Sequence, residues 1–184
     1  MNTITPTGLF DRLGKPARIQ QIARYDLFDP TLQARLDAVA ARTADLLHAP
    51  ISMISMVLDT SQFIIGQHGL TGWISEVQGT PAEWALCTQT VLAGRPYCIT
   101  DGTADPVYAA NPLLAMSPIR SYAGVPLSDD SGQILGAHCV IDVTPRTFTE
   151  HDITVLTNGA AETMHILAEH RTTPDPVIEP GENR

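Results

Sequence analysis

The sequence is short of cysteine, short of positive charge and without any long apolar run, and each shortage removes a class of function. Its three cysteines, Cys87, Cys98 and Cys139, are odd in number and form no CxxC pair. Reduced thiols are therefore expected, and a structural zinc site has no support. Eleven basic residues face twenty acids, for a net charge of −9. That sign repels phosphate backbones and anionic lipid, so neither nucleic acid nor a membrane surface is an expected partner. No apolar stretch approaches the roughly 20 residues needed to cross a bilayer. The opening MNTITPTGLFDRLGKPARIQ is polar where a secretion signal needs an apolar segment, so a cytoplasmic location is expected. No internal repeat is visible.

What remains reads as one soluble domain of 184 residues, 43% hydrophobic and 17% charged, long enough for a sizeable core. Residues 1–17 carry Gly, Pro and Thr with little periodicity and read as a flexible arm. A short helix is expected over Arg18–Tyr25. Asp29-Pro30 reads as an N-cap with proline at the first helical position. Leu32, Leu36, Val39, Thr43 and Leu46 follow at helical spacing, and Pro50 ends the helix. ISMISMVL, Ile51–Leu58, suits a strand covered on both faces, with QFIIGQHG as its partner and LTGWISEVQG as a polar excursion. Thr80, Pro81 and Glu83 carry the signals of a capping box, predicting a helix that stops at Gly94.

RPYCITD reads as a short strand, and DPVYAANPLLAMSP as a loop with one helical turn. SYAGVPLSDDSGQILGAHCVID, Ser121–Asp142, reads as a hairpin about a polar turn. Thr149 with Asp152 caps a last helix to Arg171, striped by Ile153, Leu156, Ala160, Met164 and Leu167. Residues 172–184, Pro-rich and acidic, read as a disordered tail. This order predicts an α+β fold. A central antiparallel sheet carries the N- and C-terminal helices on one face, and a short helix plus loops covers the other.

Three segments carry a resemblance. They are RYDLFDPTLQARLDAVAARTADLLHAPISMISMVLDTSQFIIGQHGL, TPAEWALCTQTVLAGRPYCITDGTADPVYAANPLL and SYAGVPLSDDSGQILGAHCVIDVTPRTFTEHDITVLTNGA. Together, over residues 18–171, they resemble a GAF domain of the kind found in bacterial sensor kinases and regulatory phosphatases. The resemblance implies a stand-alone sensory or regulatory module in signal transduction, binding a small molecule or a partner protein. It names no cofactor. The cyclic-nucleotide signature of some GAF domains is missing. No cysteine lies between Asp101 and Ser121 to anchor a bilin. The alternative it offers is a thiol enzyme like free methionine-(R)-sulfoxide reductase, using Cys87 and Cys98. That chemistry needs an attacking and a resolving thiol. A ligand-free interaction scaffold is the third possibility.

The candidate ligand-binding residues are Phe63, Trp84, Cys87, Tyr108, Tyr122 and His138. The aromatics suit an apolar pocket with polar handles and suit a core equally well. Cys87 and Cys139 read as small buried hydrophobes. His138 stands where the GAF pattern is usually apolar. It could meet a ligand, haem or metal, although a backbone partner is the more ordinary fate of such a histidine. Because strand neighbours point to opposite faces, His138 and Cys139 cannot line the same cavity. No second histidine at metal-binding spacing supports a metal site. The apolar stripes of the two long helices suggest a homodimer that signals by shifting helix packing.

Overall fold

A computed structural model describes residues 6–172. The elements run α1 (Pro6–Leu13), α2 (Pro16–Ile22), α3 (Pro30–Leu47), β1 (Ile51–Val57), β2 (Ser61–His68), α4 (Trp73–Val77), β3 (Gly79–Pro81), α5 (Leu86–Ala93), β4 (Tyr97–Ile99), α6 (Pro112–Ala115), β5 (Ser121–Ser128), β6 (Ile134–Asp142) and α7 (Glu150–Glu169). The six strands form one sheet in the order β3-β2-β1-β6-β5-β4, with every neighbouring pair antiparallel. β1, buried along its whole length, takes a central place.

α3 packs on β1 and β2, α7 on β5 and β6, and the two helices touch along one face of the sheet. Asp29 accepts from the backbone N–H groups of Thr31 and Leu32 at the start of α3. Thr149 and Asp152 form a reciprocal capping box at the start of α7, which satisfies two of the four orphan donors there. The core on this side holds Leu32, Leu36, Val39, Ile54, Met56, Val125, Val140, Leu156 and Leu167. The opposite face is covered by α5, α6 and irregular segments, around Met53, Leu86, Cys87, Tyr108, Leu113, Tyr122 and Cys139.

Several sequence expectations are corrected. The segment 1–17, read as a flexible arm, is helical over Pro6–Leu13 and buries Leu9 and Leu13; residues 1–5 lie outside the described chain, as do residues 173–184 of the expected disordered tail. LTGWISEVQG, read as a polar excursion, contains α4. Thr80 does not cap a helix. It pairs with Gln62 in the edge strand β3, and α5 begins only at Leu86, behind Ala85, with no side-chain cap. The local capping signals lost to strand pairing, which suits a β-branched residue beside an existing edge. Leu46, placed in the apolar stripe of α3, is 64% exposed, and Leu47 is buried in its stead.

One buried charge ties the elements together. The Arg18 guanidinium on α2 donates to the carbonyls of Leu13, Val57, Ile134 and Leu135. It thus joins the end of α1, the end of β1 and the start of β6. Burial lowers its pKa to about 10, which leaves it charged at neutral pH.

Candidate functional site

The hairpin β5–β6 divides its chemistry between the two faces of the sheet. His138 lies between Ile54 of β1 and Val125 of β5 in the register and points under α3 and α7. Its imidazole occupies the space that Gly159 of α7 leaves. A Cβ at position 159 would fall 2.4 Å from His138 Cε1 and 2.7 Å from Nδ1, with Thr43 Oγ1 at 3.1 Å. His138 Nε2 lies 3.4 Å from Ser52 Oγ, whose hydroxyl donates to the Cys139 carbonyl. The expected backbone partner is not made in good geometry. Nδ1 has no hydrogen-bond partner among the described residues, and the Leu156 carbonyl only moderates the effect of burial. Burial itself lowers the His138 pKa to about 4, so the ring is neutral and sealed at physiological pH.

Cys139, one residue on, faces α5. Its Sγ lies 3.7 Å from Cys87 Sγ, and both residues are fully buried. Beside them Tyr122 Oη shares a 2.7 Å hydrogen bond with Thr90 Oγ1. Further along the same face Tyr97 and Tyr108 share a 2.6 Å hydroxyl–hydroxyl bond. Desolvation, and then that bond, push the Tyr108 pKa up. Trp84 packs against this cluster half-buried, and its carbonyl accepts from Asn111 Nδ2. Residues 102–119 roof the cluster through Tyr108, Leu113, Leu114 and Ile119. The two ends of that roof are clasped. Arg120 donates to both carboxylate oxygens of Asp101 at 3.0 and 2.8 Å, and Gly102 N–H donates to the Arg120 carbonyl. The Asp101 carboxyl is held below its ordinary range, chiefly by Arg120.

Of the six sequence candidates, Trp84, Cys87, Tyr108 and Tyr122 therefore meet on one face. His138 and Phe63 do not join them. Phe63 pairs with Met56, packs with the α3 side of the core and meets the Phe28 ring at a tilt, with centroids 5.0 Å apart. Cys98 does not meet Cys87 either. It pairs with Ala123, a residue of the α3–α7 side, and is exposed. Partial burial, and then the Asp152 carboxylate, raise its thiol pKa. The sequence reading missed Thr90. A polar residue inside an apolar helix was the signal available, but only tertiary packing brings it to Tyr122. No group of three or more metal-binding side chains occurs among the described residues.

Two grooves open elsewhere. One of about 830 Å³ runs between α7 and the C-terminal half of β5, past Arg95, Ser128, Met164 and Arg171. The other, about 430 Å³, is an apolar trough at the β3 edge beside Phe28, Phe63, Trp73 and Val77. Neither is lined by Cys87, Tyr108, Tyr122 or Cys139.

The family profile for the GAF domain matches residues 31–165. The chain belongs to the GAF domain family. A cyclic di-GMP phosphodiesterase of Pseudomonas aeruginosa is 28% identical over 171 residues, 92% of this chain, and this chain spans 28% of that relative's length. Among solved structures, the type II free methionine-R-sulfoxide reductase of Thermoplasma acidophilum superposes with a TM-score of 0.62 at 14% identity. It covers 77% of this chain and 96% of its own. The GAF domain of an Acinetobacter phosphoenolpyruvate-protein phosphotransferase gives 0.61 at 16% identity, covering 92% of this chain and 96% of its own. Both structural likenesses concern the fold. They match the six-stranded antiparallel sheet with its helices. No helix among the described residues is long and apolar enough to cross a membrane.

Proposed function

We propose that this GAF domain senses a small molecule taken up beneath the roof of residues 102–119, on the α5 face of the sheet. The observation that carries this reading is the grouping there of polar handles in an otherwise apolar wall. The Tyr122–Thr90 and Tyr97–Tyr108 hydroxyl pairs lie under a loop cover whose neck is the Asp101–Arg120 clasp. Such a wall orients a ligand by a few hydrogen bonds and binds it by apolar burial. The cover is the movable part, since it is mostly irregular backbone on a rigid sheet. Similarity to a segment of a cyclic di-GMP phosphodiesterase supports a regulatory setting in signal transduction.

Native mass spectrometry of the purified chain, followed by denaturation, tests the reading. A mass excess lost on unfolding is expected. It is expected to disappear in a Tyr122→Phe, Tyr108→Phe chain that keeps its native circular dichroism. If the native mass equals that of the chain, and a metabolite panel shifts neither its melting temperature nor the hydrogen exchange of residues 102–119, a protein partner replaces the small molecule. The reductase alternative requires Cys87 and Cys98 to meet, and they lie on opposite faces of the sheet. With thioredoxin supplied, consumption of free methionine sulfoxide through that pair is not expected.

A further inference from the structure

The paired thiols on the α5 face carry an inference that stands apart from the ligand reading. We propose that Cys87 and Cys139 form a peroxide-responsive dithiol that closes to an intramolecular disulfide. The two sulfurs are 3.7 Å apart, already in hydrogen-bond contact. An approach of about 1.7 Å reaches the bond length of about 2.05 Å. Cys87 and Cys139 come from different elements, α5 and β6, so closure needs a small shift of these side chains or of α5 against the sheet.

The two thiols are unequal, and the asymmetry assigns their roles. Cys87 is the second residue of α5, where the helix N-terminus favours a thiolate. Burial, followed by Cys87 itself, pushes the Cys139 thiol pKa up. Cys87 is the attacking sulfur and Cys139 the resolving one. Access comes from the first turn of α5. Ala85, Leu86, Cys87 and Thr88 are all buried there, so the oxidant enters only when this turn opens transiently. Hydrogen peroxide is small enough to use such an opening.

The chemistry balances. The Cys87 thiolate attacks one peroxide oxygen. The S–O bond forms as the O–O bond breaks, and the departing oxygen leaves as water after taking a proton. The Cys139 sulfur then attacks the Cys87 sulfenic acid. The S–S bond forms, the S–O bond breaks, and the leaving hydroxide takes the Cys139 proton as a second water. The sulfurs lose two electrons and the peroxide gains them. Exposed Cys98, on the other face with its pKa raised, takes no part.

Peptide mapping of the folded chain tests this. The chain is treated with hydrogen peroxide, unfolded, and alkylated without reductant. Alkylation is expected at Cys98 alone, with a linked peptide pair containing Cys87 and Cys139. In a Cys98→Ser chain no cysteine is alkylated, and dithiothreitol restores Cys87 and Cys139. Recovery of Cys87 and Cys139 as free thiols, or a disulfide that joins Cys98 to either of them or joins two chains, overturns the proposal. In a Cys98→Ser, Cys139→Ala chain, dimedone is expected to label Cys87 as its sulfenic acid. An unlabelled Cys87 in that chain, with its native circular dichroism intact, refutes its role as the attacking thiol.

Discussion

Acid should destabilise this domain through His138, and the size of the effect follows from its burial. The ring is fully enclosed between β6, α3 and α7, and its pKa is lowered from 6.5 to about 4 by desolvation. The unfolded chain's histidine gains a proton near 6.5, whereas the folded one holds out to about 4. Between these values the unfolded state is the more protonated, so stability falls as pH drops. Above 6.5 neither state binds the proton, and His138 contributes no slope. The gap between the two pKa values corresponds to about 3 kcal/mol, lost at about 1.4 kcal/mol per pH unit. The assay is urea unfolding of the native chain and of His138→Leu at several pH values from about 7 down to about 4. Leu restores the apolar residue more usual at that position and removes the titration. Carboxylates such as those of Asp101 and Asp152 titrate in both chains and cancel in the difference. The Arg42–Glu162 pair that bridges α3 and α7 nearby is likewise common to both. The difference in unfolding free energy should be flat above pH 6.5 and move in favour of His138→Leu below it. A difference that stays constant across the whole range refutes the sealed, neutral histidine.

Three further outcomes follow from the packing. Gly159→Ala drives a methyl into the His138 ring, and the clash should outweigh the gain in helix propensity for a net loss of about 1–2 kcal/mol. Thermal unfolding reads it, and combining Gly159→Ala with His138→Ala should recover most of the loss. Arg18→Met strips the donor from four carbonyls, three of them in buried hydrogen bonds, at an expected cost of about 3–5 kcal/mol in urea unfolding. Asp152→Ala removes half of the capping box of α7 and a partner of Arg146, for about 1 kcal/mol in the same measurement.

The helix caps and the closing hairpin were legible in the sequence because their signals are local. Asp29-Pro30, Thr149 with Asp152, and the Ser121–Asp142 alternation each fix their own few residues. The Thr80 capping signal was equally local, and strand pairing with Gln62 overrode it. Arg18 gave no sign of burial, since its acceptors stand 5, 39, 116 and 117 positions away. The stripes that suggested a helical homodimer are largely spent within the chain, with Leu32, Leu36, Val39, Leu156, Ala160 and Leu167 buried against the sheet. Strand alternation predicted that His138 and Cys139 would part company, but it could not say which face each would take.

That choice is made by register, and register here is set by close backbone contact. Gly136 pairs with Met56, and a Cβ on it would lie 1.8 Å from the Ser55 carbonyl oxygen, so only glycine lets β6 seat this closely on β1. A one-residue slip would turn every side chain of β6 over. His138 would then face Cys87 and the Tyr122–Thr90 pair, while Cys139 would sit in the recess below Gly159. Both buried polar arrangements would be lost together. Gly136→Ala should therefore do more than destabilise. Where the chain still folds, the Cys87–Cys139 contact and the acid sensitivity of His138 should fail as one, because a single strand register holds both.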